Sequence, residues 1–244
     1  MNSFIDKLKL KWDERKFVCV GLDQGDFEAN KVVIDTTFDL VCAYKPNSAF
    51  YKENSLYKTV SYIRENHPDI AIILDAKRGD ISNTNEAYVK EIFDDLGVDA
   101  VTVHPYLGKQ SLQPFLNRTD KGIIVLVKTS NPGAGEFQDL AVEGIPFYQV
   151  VAEHVKSWGR NAAVVVGATY PSELKIVREI VGDMPILVPG IGTQGGDLEA
   201  TIKNGLNSKK QGLIISSSRG IIFAPNPREA TLNLHQDIVD FLKS

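Results

Sequence analysis

Asp75, Lys77 and Asp80 bring two acids and a lysine together in the run DAKRGDISNT, residues 75–84. A lysine between carboxylates is a group that can hold, give up or stabilise a proton, provided something positions it. The apolar run Ile70–Leu74 just before it is short, β-branched and bounded by Pro68 and Gly79, which predicts a buried strand. Side chains alternate along a strand, so Asp75 and Lys77 leave its C-terminal end on one face. Charges at the mouth of a buried strand are costly to desolvate unless they are paired. Arg78-Gly79 is expected to turn the chain, and Asp80 to cap a helix running from Ile81 to Leu96. Alone, the stretch fits a strand-end ion pair plus a helix cap as well as it fits a reactive site.

The elements that must position these residues recur along the chain. After a leading helix expected over Ser3–Arg15, apolar runs fall at Phe17–Leu22, Leu40–Tyr44, Ile70–Leu74, Ala100–Val103, Gly122–Val127, Ala162–Val166, Ile186–Val188 and Gly212–Ile215. Amphipathic segments of helical length separate them, among them Ser55–Asn66, Pro146–Trp158, Ser172–Val181, Asp197–Asn204 and Arg228–Leu242. Eight strands alternating with helices over 244 residues predict an α/β fold, a (β/α)8 TIM barrel, with a doubly wound sheet as the alternative. No linker or composition shift divides the chain, so one domain is expected over residues 1–244.

Reactive and turn-forming residues cluster where these strands end. Asp23, Lys45-Pro46-Asn47, Asp75 with Lys77, His104-Pro105-Tyr106, Lys128-Thr129-Ser130-Asn131, Gly167-Ala168-Thr169, Pro189-Gly190 and Ser216–Gly220 each follow a strand. In a barrel these ends meet on the C-terminal face, where active sites of this architecture lie. The asymmetry points to an enzyme. Asp23 and Lys45 would flank Asp75 and Lys77 as an alternating charge cluster, whose other reading is a structural ion network. Gly190-Ile-Gly-Thr-Gln-Gly195 has the GxGxxG spacing, but it follows the seventh strand rather than opening a sheet. A phosphate-binding loop therefore fits it better than a dinucleotide fingerprint. Gln194 can add an amide donor there, and Arg219 in the eighth loop carries a guanidinium fork suited to phosphate oxygens.

The bulk properties narrow the partners. A formal charge of −4 with no basic run argues against a nucleic-acid surface. No apolar run approaches membrane-spanning length, and the charged, amphipathic start is unlike a secretion signal, so a cytoplasmic protein is expected. Cys19 and Cys42 lie in apolar runs without metal-ligand spacing and read as reduced core residues. The four histidines form no metal-binding pair; His104 at a strand end is read either as pocket-lining or as buried and hydrogen-bonded. No metal site is expected.

Together these residues resemble the orotidine 5′-monophosphate decarboxylase family, in the branch with Arg-Gly inside its motif. The D-x-K-x-x-D-I-x-x-T pattern stands as Asp75, Lys77, Asp80, Ile81 and Thr84, with Ser82 where the family usually has Gly or Pro. VGLD (20–23), YKPN (44–47), TVHPYLG (102–108), KTSNPGA (128–134), VGATYP (166–171), VPGIGTQGGD (188–197) and SSSRG (216–220) extend the likeness along nearly the whole chain. The resemblance implies a homodimeric barrel that converts orotidine 5′-monophosphate to UMP and CO2 without metal or organic cofactor. It makes Lys77 the proton donor to C6 and sets Asp75 against the departing carboxylate. Asp80 would come from the neighbouring subunit to complete the array with Lys45 and Lys77. Asp23, Lys45 and, across the interface, Thr84 would hold the ribose, and Ser130 would read the pyrimidine edge. Gln194, Arg219 and the Gly220 backbone would hold phosphate, with Ile81 and Pro189 completing the substrate pocket. Metal-dependent sugar-phosphate decarboxylases and aldolases of the same superfamily are the nearest rivals, with an acidic residue near the place of Lys45. A non-catalytic nucleotide-phosphate sensor is the rival from another class.

Overall fold

The computed structural model describes residues 3–52, 54–192 and 195–243. Its centre is a closed barrel of eight parallel strands, counted among the described residues: β1 (Val18–Leu22), β2 (Val41–Pro46), β3 (Ala71–Arg78), β4 (Ala100–Val103), β5 (Gly122–Lys128), β6 (Ala162–Val166), β7 (Ile186–Pro189) and β8 (Leu213–Ser217). Each strand pairs with its neighbours in chain order, and β8 closes on β1 through Val18↔Ile215, Cys19↔Ser216 and Val20↔Ser217. This is a (β/α)8 TIM barrel. Strands of such a barrel are covered on both faces, so they are near-continuous apolar runs rather than alternating ones. β1 and β6 are buried along their whole length.

The helices that cover the barrel are α1 (Phe4–Asp13), α2 (Phe27–Thr37), α3 (Ser55–Asn66), α4 (Ser82–Val89), α5 (Gly108–Leu116), α6 (Phe147–Lys156), α7 (Pro171–Val181), α8 (Leu198–Gly205) and α9 (Pro227–Lys243). A short hairpin, Ala141–Val142 with Ile145–Pro146, precedes α6. Three departures from the sequence expectation stand out. β3 continues through Asp75–Arg78 rather than turning there. The helix expected over Ile81–Leu96 is α4 followed by a π-helical stretch, Lys90–Asp95. Asp80 does not cap it: Ile81 occupies the N-cap position without a side-chain bond, and the Asp80 carboxylate accepts from the Ile81 N–H at 2.7 Å. Buried Asn85 fixes that corner instead. Its Oδ1 accepts from the Asp80 N–H at 3.0 Å, and its Nδ2 donates to the carbonyls of Asp80 and Ser111 at 2.6 Å each.

α1 forms the floor. Ser3 and Asp6 make a reciprocal capping box that fixes its start. Phe4 and Trp12 are buried from one face, and the Trp12 indole donates to the Leu213 carbonyl at 2.8 Å. Phe4 lies against Gly122 at the foot of β5, where a Cβ would come within 2.2 Å of the ring. With the N-terminal end sealed, the C-terminal end is left to the loops.

Truncating a fully buried aromatic costs roughly 3–5 kcal/mol. Phe4→Ala is therefore expected to lower unfolding free energy by about that amount, read from urea melts, while Leu10→Ala on the exposed face of α1 changes it little. Equal effects of the two substitutions would mean that α1 is not seated as described.

Candidate active site

The site is built on an irregularity in β3. Leu74 pairs with Val101 and Arg78 with Val103, so Asp75, Ala76 and Lys77 stand opposite the single residue Thr102. Two extra residues bulge the strand and displace its ladder hydrogen bonds. The N–H groups of Ala76 and Lys77 donate instead to Thr102 Oγ1, at 3.1 and 3.0 Å. The Thr102 hydroxyl in turn donates to Asp75 Oδ1 at 2.9 Å. Lys77 has φ of +46°, a left-handed conformation uncommon for a residue other than glycine. Its ammonium returns to Asp75 Oδ1 at 2.6 Å while its side chain stays 51% exposed. Gly79, just beyond, is needed because a Cβ there would come within 2.7 Å of the His104 ring. His104 thus packs behind the bulge.

The other oxygen of Asp75 belongs to Lys45. Lys45 stands next to last in β2 and is buried, with Nζ 2.9 Å from Asp75 Oδ2. Burial pushes the Asp75 carboxyl up, but the ammonium groups of Lys45 and Lys77 outweigh it and hold the carboxyl far below the usual range. Burial would likewise push Lys45 down, yet Asp75 and Asp23 hold it above the ordinary lysine value. Both partners are therefore charged at neutral pH. Cys19 lies near this cluster and near Ser216, and burial pushes its thiol up to about 12, which leaves it inert.

Asp23, after β1, takes a hydrogen bond from Ser218 through Oδ2. Its Oδ1 is buried without a partner. Gly21 makes this approach possible, since a Cβ there would lie 2.7 Å from that of Ser218. Asp23, Lys45, Asp75 and Lys77 share a cavity of about 480 Å³ with Thr102, Ser130, Pro189, Ser216, Ser218 and Arg219. Leu126, Val165 and Leu187 supply an apolar patch to the same cavity. A larger hollow of about 730 Å³ lies at the opposite end, beside α1 and α3, and its Lys7 and Asp99 are already paired. The Asp–Lys cluster faces the smaller cavity, which is therefore the candidate site.

The residues expected from the sequence divide into three groups. Asp23, Lys45, Asp75, Lys77, Ser130, Pro189 and Arg219 come together in the cavity. Asp80, Ile81, Thr84 and Gly220 are not part of its wall within this chain, and Ile81 is exposed on the surface. Gln194 lies outside the described residues. Thr102 was not singled out for any role by the sequence, and Ser218 only as part of the eighth-strand loop, because each acts through a carboxylate far along the chain. Lys128, which follows the same strand-end pattern, turns away from the cavity. It is fully buried, paired with Asp139 and 4.5 Å from the centre of the Tyr170 ring. Gln138, one residue before Asp139, takes up the Thr129 N–H at 2.9 Å and lines the cavity, so this pairing anchors the segment beside Ser130.

A parallel barrel with an Asp–Lys array at its C-terminal mouth and an arginine across the same cavity defines a barrel enzyme acting on an anionic small molecule. A family model described as orotidine 5′-phosphate decarboxylase / HUMPS matches residues 16–234, and the chain belongs to that family. The orotidine 5′-phosphate decarboxylase of Cellvibrio japonicus is 45% identical over 97% of this chain and 98% of its own length. That of a Janthinobacterium species is 47% identical over 91% and 90%. Among solved structures, OMP decarboxylase of Leishmania donovani superposes with a TM-score of 0.92 at 37% identity, covering 99% of this chain and all of that one. UMP synthase of the same organism gives 0.94 at 38%, and the chain spans 57% of that longer protein. Among the described residues no helix is long and apolar enough to cross a membrane.

A carboxyl whose folded value is depressed stabilises the fold at pH above the unfolded value, and that stabilisation is lost as pH falls towards the folded value. Wild-type protein is expected to lose unfolding free energy between about pH 5 and pH 2 more steeply than Asp75→Asn, which cannot titrate there. Urea midpoints measured across that range provide the comparison. Equal slopes would mean that Asp75 is not held down by its two lysines.

Proposed function

We propose that this chain decarboxylates orotidine 5′-monophosphate to UMP and CO2, the last step of de novo UMP biosynthesis, as a cytoplasmic homodimer of single barrel domains. The observation that carries this reading is one carboxylate, Asp75, with an ammonium on each oxygen, in the cavity that also holds Arg219. Loss of CO2 from C6 leaves an electron pair in the plane of the pyrimidine, where no ring carbonyl delocalises it. Fixed positive charge must then stabilise it. Lys77 supplies that charge and passes its proton to C6, giving UMP and a neutral amine that solvent recharges. Asp75 lies against the substrate carboxylate and orients both lysines. The apolar patch of Leu126, Val165 and Leu187 suits the departing neutral CO2.

Asp23, with its unpartnered oxygen, and Lys45 hold ribose hydroxyls, and Ser130 reads the pyrimidine amide edge. Arg219, Gln194 and the Gly220 backbone grip the phosphate, with Pro189 at the edge of their loop. Asp80, Ile81 and Thr84 serve the partner's site across the dimer interface. Their absence from the cavity wall of their own chain agrees with this. Protein charge does the work here without metal or organic cofactor: a lysine where metal-dependent relatives carry an acid repels a divalent cation. A nucleotide sensor would need the phosphate grip but not a doubly paired carboxylate.

Loss of ultraviolet absorbance on adding orotidine 5′-monophosphate tests the activity, and no loss would overturn the reading. Lys77→Ala should cut turnover by roughly three orders of magnitude or more while the barrel still folds. Near-normal turnover would remove Lys77 as the proton donor. For the shared site, mixing Lys77→Ala with Asp80→Asn subunits should restore activity in hybrid dimers, whereas a self-contained site gives no recovery.

A further inference from the structure

We infer that Thr102 is a positioning residue for the decarboxylation, its hydroxyl holding the β3 bulge from which Asp75 and Lys77 project. The inference rests on the function proposed above. A threonine hydroxyl has one hydrogen to donate and two lone pairs to accept with. Here all three are used: the proton goes to Asp75 Oδ1, and the lone pairs take the N–H groups of Ala76 and Lys77. No capacity remains for substrate, so Thr102 acts through its neighbours although it lines the cavity.

The demand for a hydroxyl is specific. Other inward residues around it, Leu126, Val165 and Leu187, are apolar, so packing alone would be met equally well by valine. The pairing frame of β3 and β4 creates the need. Three residues stand opposite one, the backbone of β4 cannot reach the two displaced amides, and a side-chain acceptor must take its place. Thr102 is 1% exposed, so water does not readily substitute. Its β-branch stiffens χ1 and fixes where the oxygen sits. Without that oxygen, nothing in this contact holds Lys77 at its left-handed φ, and the ammonium moves relative to C6 and to Asp75.

Three proteins test this: wild type, Thr102→Val, which keeps the shape and removes the hydroxyl, and Thr102→Ser, which keeps the hydroxyl. Wild-type turnover of orotidine 5′-monophosphate is measured first, and its absence would sink the proposed function rather than this inference. Given an active wild type, Thr102→Val is expected to lose about 10²-fold in kcat, the scale of an ångström of misplacement. Its UMP dissociation constant should stay within about threefold, since the phosphate grip is untouched. Thr102→Ser should recover kcat to within about fivefold of wild type. Amide hydrogen exchange gives a readout independent of activity, with Ala76 and Lys77 protected in wild type and exchanging at least about tenfold faster in Thr102→Val. Should Thr102→Val fail to fold, Thr102→Ala carries the same comparison. The inference falls if the hydroxyl-free variant keeps wild-type kcat, if Thr102→Ser loses as much as Thr102→Val, or if the two amides exchange at the wild-type rate.

Discussion

A single carboxylate shared between two ammonium groups constrains everything else at the barrel mouth. Burying Asp75 is unfavourable by itself, and burying Lys45 is as well; each is tolerated because the other is there. The arrangement leaves the two lysines unequal. Lys45 is enclosed and fixed, whereas Lys77 reaches the same carboxylate from a half-exposed position. One is held in place by burial, and the other is open to whatever enters the cavity. Replacing a buried ion pair by apolar residues of similar shape often costs little in folding, so stability alone does not account for charges at this place.

The barrel supplies the frame and its two ends divide the labour. At the floor, α1 seats Phe4 and Trp12 under the strands, and its Ser3–Asp6 cap and the Trp12 indole are satisfied within the protein. At the mouth, several strand ends converge, and Asp23 Oδ1 is left there with spare capacity. The same division sets the larger hollow beside α1 apart from the candidate site. Size does not locate chemistry; a cluster of charges facing a shared space does.

Much of this was legible in the sequence because a strand covered on both faces reads as an uninterrupted β-branched run. The eight runs, their order and the polar residues after them come directly from that rule. What the sequence concealed were contacts made at a distance. β3 continues through DAKR only because Thr102, on the next strand, accepts amides that a polar run would otherwise leave unpaired. Asp80 looks like a helix cap because acids often are, but Asn85 and Ser111 already fix that corner. Lys128 carries the same strand-end signature as Lys45, yet a one-residue shift between β5 and β6 comes just before it, and it lies against Tyr170. The residues were visible; their facing was not.

The extra length of β3 is two residues, and the parity matters. Alternation along a strand survives an even insertion and inverts after an odd one. With two added, Arg78 still lies on the outer side, stacked on Tyr88 of α4 at 4.6 Å, while Asp75 faces the cavity. One residue fewer would turn a guanidinium into the mouth beside Lys45 and drive like charges together. Two fewer would restore a regular ladder and take the Lys77 ammonium away from Asp75. Shortening this segment of β3 by one residue or by two would thus disturb either its pairing with β4 or the placement of Lys77.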